Sequence, residues 1–108
     1  MAEYTLAHVG INGANPEEAR KAAELFCTLF GFTAKEGNSS IFAGSGIEVM
    51  KEPYKGTHGH IAIGTNTLPR AIAYFKSRGF EFNEETASPK AIYFKDEIAG
   101  FAVHLVQK

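Results

Sequence analysis

The chain has 108 residues, 44% hydrophobic and 21% charged, with a formal net charge of −1 at pH 7 and a single cysteine. That length and composition suit one globular domain, 1–108, and exclude the charge footprint of a nucleic-acid or anionic-membrane binder. No apolar run is long enough to span a bilayer and no leader opens the chain, so the cytoplasm is the expected location. Cys27 has no partner for an internal disulfide and is expected at or near the core.

Tyr4 to Ile11 reads as a first strand. Asn15-Pro16-Glu17-Glu18 is a helix start, with Asn15 as N-cap, Pro16 in the first turn and Glu18 placed for a capping box. Ala19, Ala22, Ala23, Phe26, Leu29 and Phe30 follow the three-four spacing of an apolar helix face, and Gly31 is the expected left-handed cap. Phe32–Lys35, Ser40–Ala43 and Ile47–Lys51 read as short strands separated by the turns Gly37-Asn38 and Gly44-Ser45-Gly46. Glu52 to Gly56 is an aperiodic connector.

The order then begins again. His58 to Gly64 reads as a strand. Leu68, Ala71, Ile72 and Phe75 line a helix closed by Gly79, and Phe80–Asn83, Ala91–Lys95 and Phe101–Val106 complete the set. The chain is therefore βαβββ twice, module one 1–53 and module two 57–108, an α+β duplication. His8-Val9-Gly10-Ile11 matches His60-Ile61-Ala62-Ile63, and Leu29-Phe30-Gly31-Phe32 matches Ser77-Arg78-Gly79-Phe80.

Strand side chains alternate between faces. His60 thus shares a face with Ala62 and Gly64, and His8 with Gly10, while Val9, Ile11, Ile61 and Ile63 point the other way. One face is packed and the other is hollow and holds imidazoles. Two further polar residues interrupt strand interiors: Glu48 beside Gly46 and Met50, and His104 beside Ala102 and Val106. Each half offers one metal-capable residue on its first strand and one on its last, His8 with Glu48 and His60 with His104. Ionisable groups in strand interiors are costly unless paired, hydrogen-bonded or coordinated. A lone strand histidine is more often a core or rim residue, but four matched positions point to a site. Three imidazoles and a carboxylate suit a divalent Zn, Ni, Co or Fe ion better than Mg or Ca. His58 lies at a strand edge and reads as a rim residue.

The paired βαβββ modules and the His…Glu…His…His placement resemble the vicinal oxygen chelate superfamily, which includes glyoxalases, bleomycin-resistance proteins and extradiol dioxygenases. The segment Gly59-His60-Ile61-Ala62-Ile63-Gly64 is similar to the corresponding strand of glyoxalase I proteins. The resemblance implies an eight-stranded, cup-shaped mixed sheet with helices on its convex face. It also implies a divalent metal held by His8, Glu48, His60 and His104. Where glyoxalase I usually presents glutamate on the last strand, this chain has His104. The runs Phe26–Met50 and Gly59–Asn66 also resemble a domain appended to some bacterial keto-deoxy-phosphogluconate aldolases, which implies sugar-acid or oxo-acid metabolism as context.

The activity so implied is that of a metal-dependent lyase or isomerase acting on a small α-keto or hydroxy-keto compound. It would proceed through a metal-stabilised enediolate, with Glu48 as the catalytic base. The alternatives are a non-catalytic small-molecule binding protein of the bleomycin-resistance type and an accessory domain of aldolase metabolism. Extradiol oxygenation fits less well. A homodimer is expected, because half-cups in this superfamily are often completed across a subunit interface. Phe42, Phe94 and Phe101 are the apolar strand surface expected to serve it.

Overall fold

The computed structural model describes residues 2–108. Its elements are β1 (Tyr4–Asn12), α1 (Pro16–Phe30), β2 (Ala34–Glu36), β3 (Ser40–Ala43), β4 (Ile47–Met50), β5 (Gly59–Thr65), α2 (Leu68–Ser77), β6 (Phe82–Ser88), β7 (Ala91–Phe94) and β8 (Phe101–Gln107). The expected α+β order, βαβββ twice, is the observed one. All eight strands form one mixed sheet in the order β2-β3-β4-β1-β5-β8-β7-β6. The halves meet where β1 runs antiparallel to β5. Within each half the first strand runs parallel to the last, β1 with β4 and β5 with β8. The four strands that carry His8, Glu48, His60 and His104 are therefore neighbours at the centre of the sheet.

Local chemistry sets the helix ends. Asn15 Oδ1 accepts the Glu18 N–H at 2.8 Å, and Gly31, at φ 73°, donates its N–H to the Cys27 carbonyl. At the end of α2 the Gly79 N–H bonds the Lys76 carbonyl and the Phe80 N–H bonds that of Phe75, a Schellman closure. This closure takes Phe80 out of the following strand, so β6 begins at Phe82, two residues later than expected, and runs on to Ser88. In the first half β2 starts at Ala34 rather than Phe32, because the residues after Gly31 bring the chain back to the sheet edge. The start of α2 is capped from a distance. Thr67 offers no side-chain cap, and Gln107 Oε1 of β8 accepts the Leu68 N–H at 2.7 Å.

The two helices cover one face of the sheet, each over its own half. Ala19 and Ala23 of α1 pack on Ile41 and Val49. Leu68 and Ala71 of α2 pack on Phe82, Ile92 and Leu105, with Ile63, Ile72, Phe75 and Phe94 around them. The apolar stripe of α1 is shorter than its spacing suggests, for Leu29 and Phe30 are each 62% exposed. A 15-residue helix is about 22 Å long, whereas the four-residue strands beneath it span about 13 Å. The last turn of α1 has no sheet under it.

Phe94 also departs from expectation. It stacks on Phe82 at 4.5 Å and meets Phe75 at 5.4 Å, so it belongs to the core beneath α2 and is not free strand surface. Phe42 lies against His8 and Phe101 against His58. No helix among the described residues is long and apolar enough to cross a membrane.

Candidate metal centre

The sheet face opposite the helices is built from two ladder rows. One runs Phe42, Glu48, Gly10, His60, Ala102, and the next runs His8, Ala62, His104, Tyr93. In each row a small residue separates the two metal-capable ones. Neighbouring strands lie about 4.8 Å apart, so the backbones of Glu48 and His60 are roughly 10 Å apart and their side chains meet above Gly10. A register shift in β1 between Leu6 and His8 changes which face the strand presents. Tyr4, before it, packs on Phe75 below α2, and His8, after it, joins the opposite face.

The four expected residues fall into two overlapping groups, a tight triangle of Glu48, His8 and His60 and a looser trio of His8, His60 and His104, with no direct contact between Glu48 and His104 among those observed. His60 Nε2 lies 3.0 Å from Glu48 Oε1 and 3.3 Å from His8 Nε2, and His8 Nε2 lies 3.2 Å from the same carboxylate oxygen. One ring nitrogen from each of His8, His60 and His104 lies within 4.8 Å of the other two. His60 is 3% exposed, while His8 and Glu48 are largely buried. The fourth histidine, His58, stays outside the group, as a rim residue would, with its ring 5.7 Å from Phe101.

The donor set fits a divalent ion. Bonds of about 2.0–2.1 Å in tetrahedral geometry place ligand atoms roughly 3.3–3.4 Å apart, and the triangle of His8, His60 and Glu48 has edges of 3.0, 3.2 and 3.3 Å. Protons satisfy the triangle less well. With Glu48 Oε1 accepting from both imidazoles, the His8 and His60 nitrogens face each other donor to donor. The buried Nε2 of His104 and Nδ1 of His60 also have no hydrogen-bond partner among the described residues. An unsatisfied buried imidazole nitrogen is costly, and His104 Nε2 is a lone pair that an ion would use.

Charge follows from this packing. Hydrogen bonds from His60, then from His8, hold the Glu48 carboxyl well below the usual carboxylate range, against the opposing effect of burial. The Ser40 hydroxyl adds a bond to Glu48 Oε2 at 2.7 Å. Burial, reinforced by the neighbouring His60 and His8, pushes His104 down to about 4. His104 is thus neutral near pH 7, the state a metal ligand requires. Burial, then Tyr54 and Glu48, raises the Tyr93 phenol, which therefore remains a proton donor.

Several residues of the site were not singled out from the sequence. Gly10 makes the packing possible: a Cβ there would lie 2.0 Å from His60 Cε1 and 2.2 Å from Nδ1. Tyr93 stacks on His104 at 4.3 Å with the rings 12° from parallel, and Phe42 meets the His8 ring edge-on at 5.5 Å. Both aromatics stand directly opposite a metal-capable residue, Phe42 across from Glu48 and Tyr93 across from His104. Counting register back from each hairpin turn would have found them.

Gly10→Ala is expected to dislodge His60, with a fall in zinc affinity of at least about tenfold and a loss of roughly 1–3 kcal/mol from overpacking. Calorimetric zinc titration and urea denaturation measure the two effects. In metal-free protein, stability is expected to fall as pH drops from about 6.5 to about 4, because the unfolded chain takes a proton at position 104 that the folded chain refuses. Glu48 adds to the loss below the ordinary carboxylate range, since its stabilising charge disappears only as pH falls through its depressed folded value. Urea denaturation of His104→Gln across this range should show a shallower slope between pH 6.5 and 4 than the unaltered chain.

No protein-family model and no curated protein matches the chain. Among solved structures it is similar to a hypothetical protein from Bacillus halodurans C-125, with a TM-score of 0.71 at 16% sequence identity. The likeness covers 98% of this chain and 95% of that one. At that identity the shared feature is the fold, and the eight-stranded mixed sheet agrees in general terms with the vicinal oxygen chelate architecture.

Proposed function

We propose that this protein is a divalent-metal-dependent lyase or isomerase of glyoxalase type, with His8, Glu48, His60 and His104 as metal ligands. The observation that carries the reading is the clustering of three imidazoles at the centre of one sheet face, with the Glu48 carboxylate bonded to two of them. A Zn, Ni, Co or Fe ion bound there supplies Lewis-acid polarisation of two neighbouring substrate oxygens, which acidifies the adjacent C–H bond. The chain's own residues do the rest. Glu48 is the carboxylate placed to take the proton, Ser40 orients it, and Tyr93 and Phe42 exclude water from the imidazoles. The substrate in this reading is a small α-keto or hydroxy-keto compound, and the resemblance to an aldolase-appended domain supports sugar-acid or oxo-acid metabolism as its context.

A second reading, a binding protein without turnover, is favoured by one feature. Both oxygens of Glu48 are engaged, Oε1 by the two imidazoles and Oε2 by Ser40. Metal analysis of protein purified without added metal, followed by assays on the hemithioacetal of methylglyoxal and on small α-keto sugar acids, separates the two. Metal with turnover is expected. Metal and tight ligand binding without turnover would favour the binding protein. His104→Ala should weaken metal binding at least as much as the roughly 10–100-fold typical of losing a supporting partner. Unchanged affinity between pH 6 and 8 would reduce the site to His8, Glu48 and His60.

The protein is further proposed to be a homodimer. The monomer is elongated, 43 × 24 × 23 Å, and exposes Leu25, Leu29, Phe30, Phe32, Phe80 and Ile98. Sedimentation at micromolar concentration should give twice the monomer mass of 11.7 kDa, and a monomer alone would refute it.

A further inference from the structure

The connector between the modules is not a passive link. Its Tyr54 and Lys55 are held against the metal centre by Asn12, the last residue of β1. Asn12 Oδ1 accepts the Tyr54 N–H at 3.1 Å, and its Nδ2 donates to the Gly56 carbonyl at 3.0 Å. One amide thus brackets Lys55 on both sides and fixes the backbone that presents it. The Lys55 ammonium lies 5.6 Å from the ring centroids of both Tyr54 and Tyr93. Those two rings lead directly to the imidazoles. Tyr93 stacks on His104, and the Tyr54 and Tyr93 rings lie 6.5 and 6.4 Å from His60.

Lys55 is half-buried, and no carboxylate among the described residues forms an ion pair with it. Lys55 shares with Tyr93, Lys95, Asp96, Glu97 and Ala102 a cavity of about 160 Å³. Two carboxylates, Asp96 and Glu97, line the same cavity, yet neither comes within ion-pair distance of the Lys55 ammonium. Glu97 accepts from the Thr57 hydroxyl, and Lys95 reaches Glu81 at 3.7 Å. A cation held by two aromatic faces, with no anion of its own, beside a metal centre is a receptor for an anion on the metal's ligand. The cavity has room for about five waters at ~30 Å³ each, the scale of a small organic acid.

We infer that Lys55 binds the carboxylate of the substrate, and that the substrate is a 2-oxo-3-hydroxy carboxylic acid or a close analogue. In such a molecule the adjacent carbonyl and hydroxyl oxygens would serve a bound divalent ion, while the carboxylate on the carbonyl carbon would be directed to the ammonium. This rests on the metal-centre reading above. It makes Lys55 a specificity-determining residue and gives the connector a function beyond joining two halves.

The test uses two unreactive probes that chelate metal through neighbouring oxygens: acetohydroxamic acid, which has no charged tail, and oxalic monohydroxamic acid, which carries a carboxylate directly on the hydroxamate carbonyl carbon. Binding to zinc-loaded protein is measured by calorimetry. The unaltered chain should prefer the carboxylated probe by about tenfold, the scale of one hydrogen bond to a charged group. Lys55→Met should lose that preference while binding acetohydroxamic acid as before, and Lys55→Arg should restore it. If the unaltered chain shows no preference, or Lys55→Met retains it, the role of Lys55 is overturned and the metal centre stands. If neither probe binds the zinc-loaded chain, the metal-centre reading fails and this inference fails with it.

Discussion

The site depends on His60 lying flat over a backbone that has no side chain. Gly10 stands directly across from His60 in the β1–β5 ladder, and its missing Cβ is the space that the imidazole fills. With that ring down, His60 Nε2 reaches both Glu48 and His8, and the three donors close into a triangle. Ala62 plays the corresponding part in the next row, between His8 and His104. Sheet pleating puts equivalent residues of neighbouring strands side by side. A dense cluster of large polar side chains can form there only if small residues alternate with them. Removing bulk from two positions therefore does as much for the centre as supplying the ligands.

The alternation also explains the electrostatics. Four ionisable groups brought together in a half-buried hollow cannot all keep their solution behaviour. The carboxylate is stabilised as an anion by the imidazoles around it, and His104, furthest from the carboxylate in this arrangement of rows, is driven neutral by burial and by its sister histidines. A neutral imidazole with a buried, unpartnered nitrogen is a poor structural residue and a good ligand. The opposite face of the sheet carries the stability. There the two helices bury separate apolar clusters, one per half, leaving the hollow face free for polar groups.

The duplication is kept where geometry needs it and relaxed where chemistry differs. Both halves pair their first and last strands in parallel, and both set an aromatic residue across from the last-strand metal-capable residue. The residues differ, however. Phe42 meets Glu48 in one half, whereas Tyr93 stacks on His104 in the other. The second half also holds the connector lysine through Tyr93, so the two sides of the hollow are chemically unequal.

The sequence by itself determined the repeat, the helix starts and stops, the strand faces away from the β1 irregularity and the four polar positions. All of these are local properties, read from periodicity of two or 3.6, from caps and from glycines. It was less informative wherever a residue's surroundings come from a distant segment. The exposure of Leu29 and Phe30 follows from the length of strands packed under α1, and the burial of Phe94 follows from the placement of α2 over β6 and β7. Gly10 and Ala62 were legible as small, yet only pairing of β1 with β5 and β8 showed which histidines they separate. Glu52 to Gly56 reads as a plain connector because nothing in its own composition reveals Asn12, more than forty positions earlier, gripping it on both sides. Alternation states which face a side chain takes, but register across strands decides what it meets there, and register is a property of the folded sheet.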